Sequence, residues 1–245
     1  MRFSILAAAG LLAATTAAVP TPDPPALNWD DVVVIMNDGT TRVMKADKYA
    51  EIERRAPLPP VPEGYAKLPL PPASASDGNL TRRDGCQQAA EAQILTDQVF
   101  LGSDVAVSPV VSSFGSISDV SVAKGYSIAN MLQVTVGGEL SVLEKVLSIS
   151  LQVSYARTWT TTETTTLRFT MVANNYGLVV SQPAVRRVTG NMISGCADNP
   201  TMTPFVSDTY EDQSYGLLSW VKGVIRLCNS TVYPVPYCLG EGTHS

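Results

Sequence analysis

From Ile149 to Met171 the large apolar side chains keep to odd positions. Ile149, Leu151, Val153, Tyr155 and Trp159 alternate with Ser150, Gln152, Ser154, Ala156 and Thr158; beyond a threonine-rich stretch, Leu167, Phe169 and Met171 resume the same parity. A period of two gives an extended chain one apolar and one polar face, so this segment calls for a sheet with a buried side. Arg157 interrupts the apolar set. The centre, YARTWTTTETTTLRF (155–169), has no Gly, Pro, Asn or Asp to turn the chain. An unbroken strand over 149–171 would nevertheless run about 75 Å, far beyond ordinary strand length. A two-residue loop would send the two apolar sets to opposite faces. An odd loop at Thr162-Glu163-Thr164 keeps them together and sets Trp159 opposite Leu167 and Tyr155 opposite Met171. The expectation is a break near Glu163, with threonines at a solvent-exposed tip.

Around this segment the chain after Asp84 carries further β-branched runs punctuated by Gly, Asn and Pro: 105–111, 127–136, 146–155, 166–172, 176–182 and 221–227. The expected fold of residues 84–245 is all-β, an antiparallel β-sandwich, immunoglobulin-like or related. One helix is predicted, because Leu140, Leu143 and Leu147 recur with helical spacing after Gly137-Gly138.

The N-terminal third reads differently. Residues 1–18 have an early Arg2 and an apolar run from Ile5 to Ala14, the layout of a cleavable secretory signal; the run is too short to span a bilayer. Secretion to the extracellular space without a stable membrane anchor is expected. Residues 19–55 predict a small hairpin-helix propeptide: a strand Val32–Met36, a turn at Asn37-Asp38-Gly39, a strand Thr40–Met44 and a helix Asp47–Arg54. A lone hairpin of this size is marginal in water, so docking on the following domain as a chaperone or inhibitory cap is one reading, a passive spacer the other. Residues 56–83 form a proline-rich linker ending in Arg82-Arg83, a kexin-type processing site; Arg54-Arg55 is a second candidate. Arg186-Arg187 lies among strand-like residues and is expected to stay uncut.

Cys86, Cys196, Cys228 and Cys238 all follow the processing site. An even number in a secreted chain reads as disulfides, with three pairings that spacing does not separate; the expected pairs are Cys86–Cys238, tying the ends, and Cys196–Cys228. No metal site is expected, since there is no close CxxC pair and the only histidine is His244 near the end. Asn229 and Asn79 head glycosylation sequons. From Asp84 onward, eight Lys or Arg face thirteen Asp or Glu, which leaves no basic footprint for nucleic acid or anionic lipid.

Catalysis by a Ser or Cys nucleophile lacks a histidine base in a plausible position, and no cofactor motif occurs. Glu163, Asp208, Glu211 and Asp212 leave room for a carboxylate-based hydrolase. Tyr210, Tyr215, Tyr233 and Tyr237 crowd the last third with Trp220 and offer contact area for a protein or glycan ligand.

Three sets of residues, DDVVVIMNDGTTRVMKADKYAEIE with its proline-rich linker, SISLQVSYARTWTTTETTTLRFTMV, and YEDQSYGLLSWVKG with VYPVPYCLGEGTHS, together resemble small secreted, effector-like proteins of filamentous ascomycete fungi. The resemblance implies secretion, a fungal source and a β-rich fold, with action by binding a host or cell-wall component and no reaction. The Ser/Thr-rich centre is also similar to the stem of aerolysin-type β-pore-forming toxins, whose hairpins close into a barrel in lipid. A stem needs strands of ~10 residues with an apolar lipid face, and the face around Thr161, Glu163 and Thr165 is polar.

Overall fold

The computed structural model describes residues 25–36, 38–55, 89–134, 140–162, 164–196 and 199–245. The expected signal sequence, the linker, Asn79, Arg82-Arg83, Cys86 and Glu163 lie outside them. The N-terminal unit comprises β1 (Asp31–Ile35), β2 (Thr41–Lys45) and α1 (Ala46–Arg55). Then come β3 (Ala89–Leu101), β4 (Val105–Ala106), β5 (Val111–Ser112), β6 (Asp119–Val122), β7 (Ser127–Ala129), β8 (Met131–Val134) and α2 (Leu140–Leu151). After the helix run β9 (Thr158–Thr160), β10 (Thr164–Thr170), β11 (Tyr176–Cys196) and β12 (Asn199–Thr209). The chain closes with β13 (Asp212–Tyr215), β14 (Leu218–Val221), β15 (Gly223–Ser230), β16 (Val235–Pro236) and β17 (Thr243–His244). All the strand ladders among the described residues are antiparallel, and the class is all-β.

The first hairpin follows its local signals. Gly39 takes φ +79°, which a side chain would resist, and Asp38 accepts hydrogen bonds from the Thr40 amide and hydroxyl at 2.9 and 2.6 Å. Val32, Val33 and Val34 are all buried. A continuous apolar run suits them because β1 is covered on both faces.

β11 organises the rest. Tyr176–Pro183 pairs with β15, and the same half meets β4 and β5. From Ala184 on, β11 leaves those partners and pairs with β3 on one side and β12 on the other. A bulge at Thr189/Gly190 adjusts the β3 register. There a Cβ on Gly190 would sit 2.1 Å from the Gln93 carbonyl and 3.0 Å from the Phe205 ring, so only glycine permits this close approach.

Each half of β11 carries its own core. Around the first half, Trp159, Leu167, Phe169, Met171, Val179, Trp220 and Ile225 form the main cluster, joined by Val33 from β1. Of the odd-numbered set, Trp159, Leu167, Phe169 and Met171 share one buried face, whereas Leu151 and Tyr155 pack in the other core and Ile149 is exposed. The shared face forms without the expected hairpin: β9 pairs with β7 and β10 with β6, which sets Trp159 opposite Ile128 and Phe169 opposite Val120. Thr161 and Thr164 are buried rather than at an exposed tip. The Thr161 hydroxyl donates to the Ala123 carbonyl at 2.7 Å and accepts from the Tyr126 amide at 3.0 Å. Threonine breaks the strand here because its hydroxyl satisfies the local backbone groups.

The predicted strand 146–155 is a helix as far as Leu151. Leu143, Leu147 and Leu151 share a helical stripe, and that stripe packs on Val188, Met192 and Phe205 of the second half of the sheet. Tertiary burial overrides the two-residue period.

The expected disulfide pairings are corrected by Cys228–Cys238, with Cα atoms 5.8 Å apart. The turn after β15 folds Val235 back beside Leu178 and Val180, so the bond closes a local loop instead of joining distant ends. His244, near the end of the chain, is buried in β17 and stacks on Tyr237 at 4.3 Å between ring centres. Burial lowers its affinity for a proton, although Asp104 nearby favours the charged form.

Candidate functional site

The most unusual feature of the second half is α2. Leu143 and Leu147 are 2 % and 0 % exposed, whereas Ile149 is 80 % exposed. A helix therefore wastes one large apolar side chain that a strand would place with its neighbours. At the C-terminal end Gln152 adopts φ +55° and the Val153 amide donates to the Ser148 carbonyl at 3.2 Å. This is the Schellman arrangement, with glutamine where glycine is usual, and the left-handed residue costs about 1–2 kcal/mol. We expect Gln152→Gly to raise the stability of the folded protein by about 1 kcal/mol, read as an increased urea midpoint at unchanged m value. A decreased midpoint would contradict the helix end described.

After the helix, Tyr155 shares a hydrogen bond with the Ser207 hydroxyl at 2.6 Å, and burial pushes its hydroxyl pKa up. The chain then meets β7 in a short ladder: Ser127↔Thr160, Ile128↔Trp159 and Ala129↔Thr158. The ladder continues through Asn130, whose amide donates to the Arg157 carbonyl at 3.2 Å. Asn130 also ends it. Its side chain donates to the Ser154 carbonyl at 2.9 Å and accepts from the Tyr210 amide at 2.9 Å, and β8 turns away to pair with β12. Residues 130 and 157 thus form the neck of a folded excursion that includes β8 and α2.

Asp212 fixes the outer side of this neck. It accepts from the Trp159 indole at 2.6 Å and pairs with Arg157; the Arg157 guanidinium also lies over the Trp159 ring at 5.0 Å. A polar cleft of about 390 Å³ opens here between Arg157, Thr162, Asp212 and the exposed Leu217. Of the other acids considered from sequence, Glu211 holds Lys222 at 3.0 Å and Asp208 is buried against Arg187.

The tyrosines do not converge. Tyr215 is buried, with its hydroxyl donating to the Val221 and Gly223 carbonyls. Tyr210 packs edge-on to Trp159 at 6.0 Å, and Tyr237 lies under His244. Tyr233 alone is strongly exposed, and it belongs to a second cluster: Phe114, Tyr176 and Tyr233 are linked at 5.0 and 5.3 Å between ring centres. Phe114 and Val232 are also exposed there, and the loops 113–118, 172–175 and 231–237 contain no charged residue. Asn229 sits at the end of β15 beside this cluster, half-buried and opposite Gly177.

Arg54 and Arg55 close α1, where Arg55 bonds Glu51 at 2.5 Å, so a protease would have to unwind the last turn. Arg186 and Arg187 are ladder residues of β11. Buried Asp104 and Cys228 lie together with the exposed Cys238, but the two sulfurs are joined, leaving no thiolate for a metal. Sequence reasoning missed the neck at Asn130 and Arg157. The signal was there: Ile128, Leu132, Val134 and Val136 keep even parity before Gly137-Gly138, mirroring the odd set after it.

No family model, curated protein or solved structure matches this chain.

Proposed function

We propose that this chain is a secreted, effector-like fungal protein that acts on membranes as a β-pore-forming protein, with the excursion between Asn130 and Arg157 as its inserting hairpin. The supporting observation is the register of the β7–β9 neck. Continued past Asn130 and Arg157, it pairs Leu132 with Tyr155, Val134 with Val153, Val136 with Leu151, and Leu140 with Leu147; Gly138 falls opposite Ile149. The other face becomes Gln133 with Ser154, Thr135 with Gln152, Gly137 with Ser150 and Glu139 with Ser148. One side is thus apolar and the other polar along two strands, 131–140 and 147–156, except at the neck, where Met131 and Ala156 fall on the polar side. Each strand has about ten residues, the length a tilted strand needs to cross the hydrocarbon core. The tip, Ser141–Val146, carries Glu144 and Lys145.

In water the folded form is favoured, because releasing α2 would expose Leu143, Leu147, Val188, Met192 and Phe205, which are now buried together. Each fully buried side chain of this kind is worth about 1.5–3 kcal/mol. Lipid reverses the preference by accepting the apolar face, and closure with hairpins from other copies leaves no strand edge unpaired. The inserting element differs from the threonine-rich segment considered in the sequence: Thr158–Thr170 is the packed base, and the stem precedes it.

The experiment is dye release from liposomes. We expect leakage and heat-labile oligomers larger than the monomer when the chain processed after Arg83 meets vesicles. An absence of both across neutral, anionic and sterol-containing compositions would defeat the proposal.

A second reading, action by binding alone, is favoured by the uncharged Phe114–Tyr176–Tyr233 surface, which suits a glycan or a protein anchor. In that case Tyr233→Ala abolishes target attachment and vesicles stay intact. The carboxylate-based hydrolase has the least support, since Asp212 is engaged by Arg157 and Trp159, and Glu211 by Lys222.

A further inference from the structure

We infer that the N-terminal segment 25–55 remains bound after cleavage in the 56–83 region, so that the processed protein is a two-chain complex whose second partner is its own propeptide. The β15 edge is a built site for it. β1 pairs Val32 with Arg226 and Val33 with Ile225, which occupies an edge that would otherwise present unpaired backbone groups. The side chains of β1 enter two different cores. Val33, 1 % exposed, joins Trp159, Phe169 and Ile225; Val32 and Val34 join Leu101 and Val224 on the opposite face, beneath Met44 and Tyr49.

A second attachment lies ahead of the hairpin. The Leu27 amide donates to the Arg168 carbonyl and its carbonyl accepts from the Thr170 amide, both at 2.7 Å, so residue 27 extends the edge of β10 in parallel. At the hairpin tip, the Thr41 hydroxyl donates to the Ser214 carbonyl at 3.2 Å and the Gln213 side chain to the Gly39 carbonyl at 3.4 Å. The segment therefore touches β10, β13 and β15, three strands far apart in sequence. A peptide held by a ladder, by an isolated bridge and by burial in two cores does not depend on a covalent link to the following domain. If it stays, the Asn79 sequon stays with it, because cleavage after Arg83 places Asn79 on the N-terminal fragment.

This inference is independent of the membrane reading and stands or falls separately. The test uses the full secreted chain with a specific protease site placed in the 56–83 region. After complete cleavage, we expect native mass spectrometry to show both fragments in one particle and denaturing conditions to separate them. Hydrogen exchange at the amides of residues 224–227 should match that of the uncut chain. Elution of the N-terminal fragment alone, with at least tenfold faster exchange at those amides, would overturn the proposal. Val33→Asp should convert retention into release once the chain is cut. Retention that survived Val33→Asp in a folded protein would show that β1 is not the anchor and would overturn it too.

Discussion

Ile149→Arg is expected to leave the protein folded and to abolish dye release. In the folded molecule Ile149 is 80 % exposed, and substitutions at such positions usually change stability by no more than about 0.5 kcal/mol. In the proposed hairpin the same side chain points into lipid, toward the tip-proximal end of its strand. An arginine there costs about 1–2 kcal/mol per copy, between the midplane and interface values. The smallest barrels of this kind have eight strands, hence four hairpins and about 4–8 kcal/mol in total. That is enough to lower pore formation by roughly a thousandfold or more.

Ser150→Arg is the control. Ser150 is also exposed on α2, but its strand position faces the lumen, where a cation shifts ion selectivity toward anions and leaves leakage intact. A helix that never rearranges would make the two variants indistinguishable. Equal leakage from both, measured at equal melting temperature, would refute the hairpin register.

The second large effect concerns the middle of β11. Arg187 and Asp208 face each other across the β11–β12 ladder with side chains 3 % and 1 % exposed, joined by two bonds of 2.6 and 2.5 Å. The guanidinium also lies 5.6 Å from the centre of the Phe100 ring. Asp208→Ala leaves a buried cation without its counter-charge, and we expect a loss of about 3–5 kcal/mol. For a domain of this size that is on the order of 10 °C in Tm. An apolar double replacement, Arg187→Met with Asp208→Leu, should recover most of the loss. The adjacent Arg186 makes the same bidentate contact with Asp97, at 2.9 and 2.7 Å, but at the surface. Its guanidinium holds the Asp97 carboxyl below the ordinary value, so the small stabilisation exists above the carboxylate range and is lost as pH falls through it. Asp97→Ala should cost less than about 1 kcal/mol. A calorimetric scan in which both aspartate variants fall equally would show that burial is not the deciding factor.

What the sequence makes legible is what neighbours in sequence decide. The N-terminal hairpin and helix appear within a residue or two of their expected ends, because Asp38-Gly39 and a run of valines specify them locally. The common face of Trp159, Leu167 and Phe169 is legible through parity alone. β3 is not: AAEAQILTDQVFL has few β-branched residues and no alternation, and most of its side chains are exposed. It is a strand because β11 offers it a ladder. In the far half of β11 the strand-like residues around Arg186-Arg187 run into Gly190 and Asn191, which read as punctuation rather than strand, and the disulfide depends on a turn that brings β16 back to β15. The candidate site was half visible. Alternation in SISLQVSY announces a strand, while in the structure its first half, up to Leu151, is the end of α2 and the rest lies outside any strand.

The pairing of β1 with β15 also sets an order of events during synthesis. The first strand of the hairpin lies near the beginning of the chain and its partner near the end, where Val32 pairs with Arg226 and Val33 with Ile225. Contacts of such sequence separation form late, because the intervening chain must be made and closed first. As the polypeptide emerges, the hairpin waits without a home until β15 has been translated and aligned against β11. The opening segment of the chain is therefore the closing piece of the fold, set in place after the cores it completes have been assembled around the vacancy.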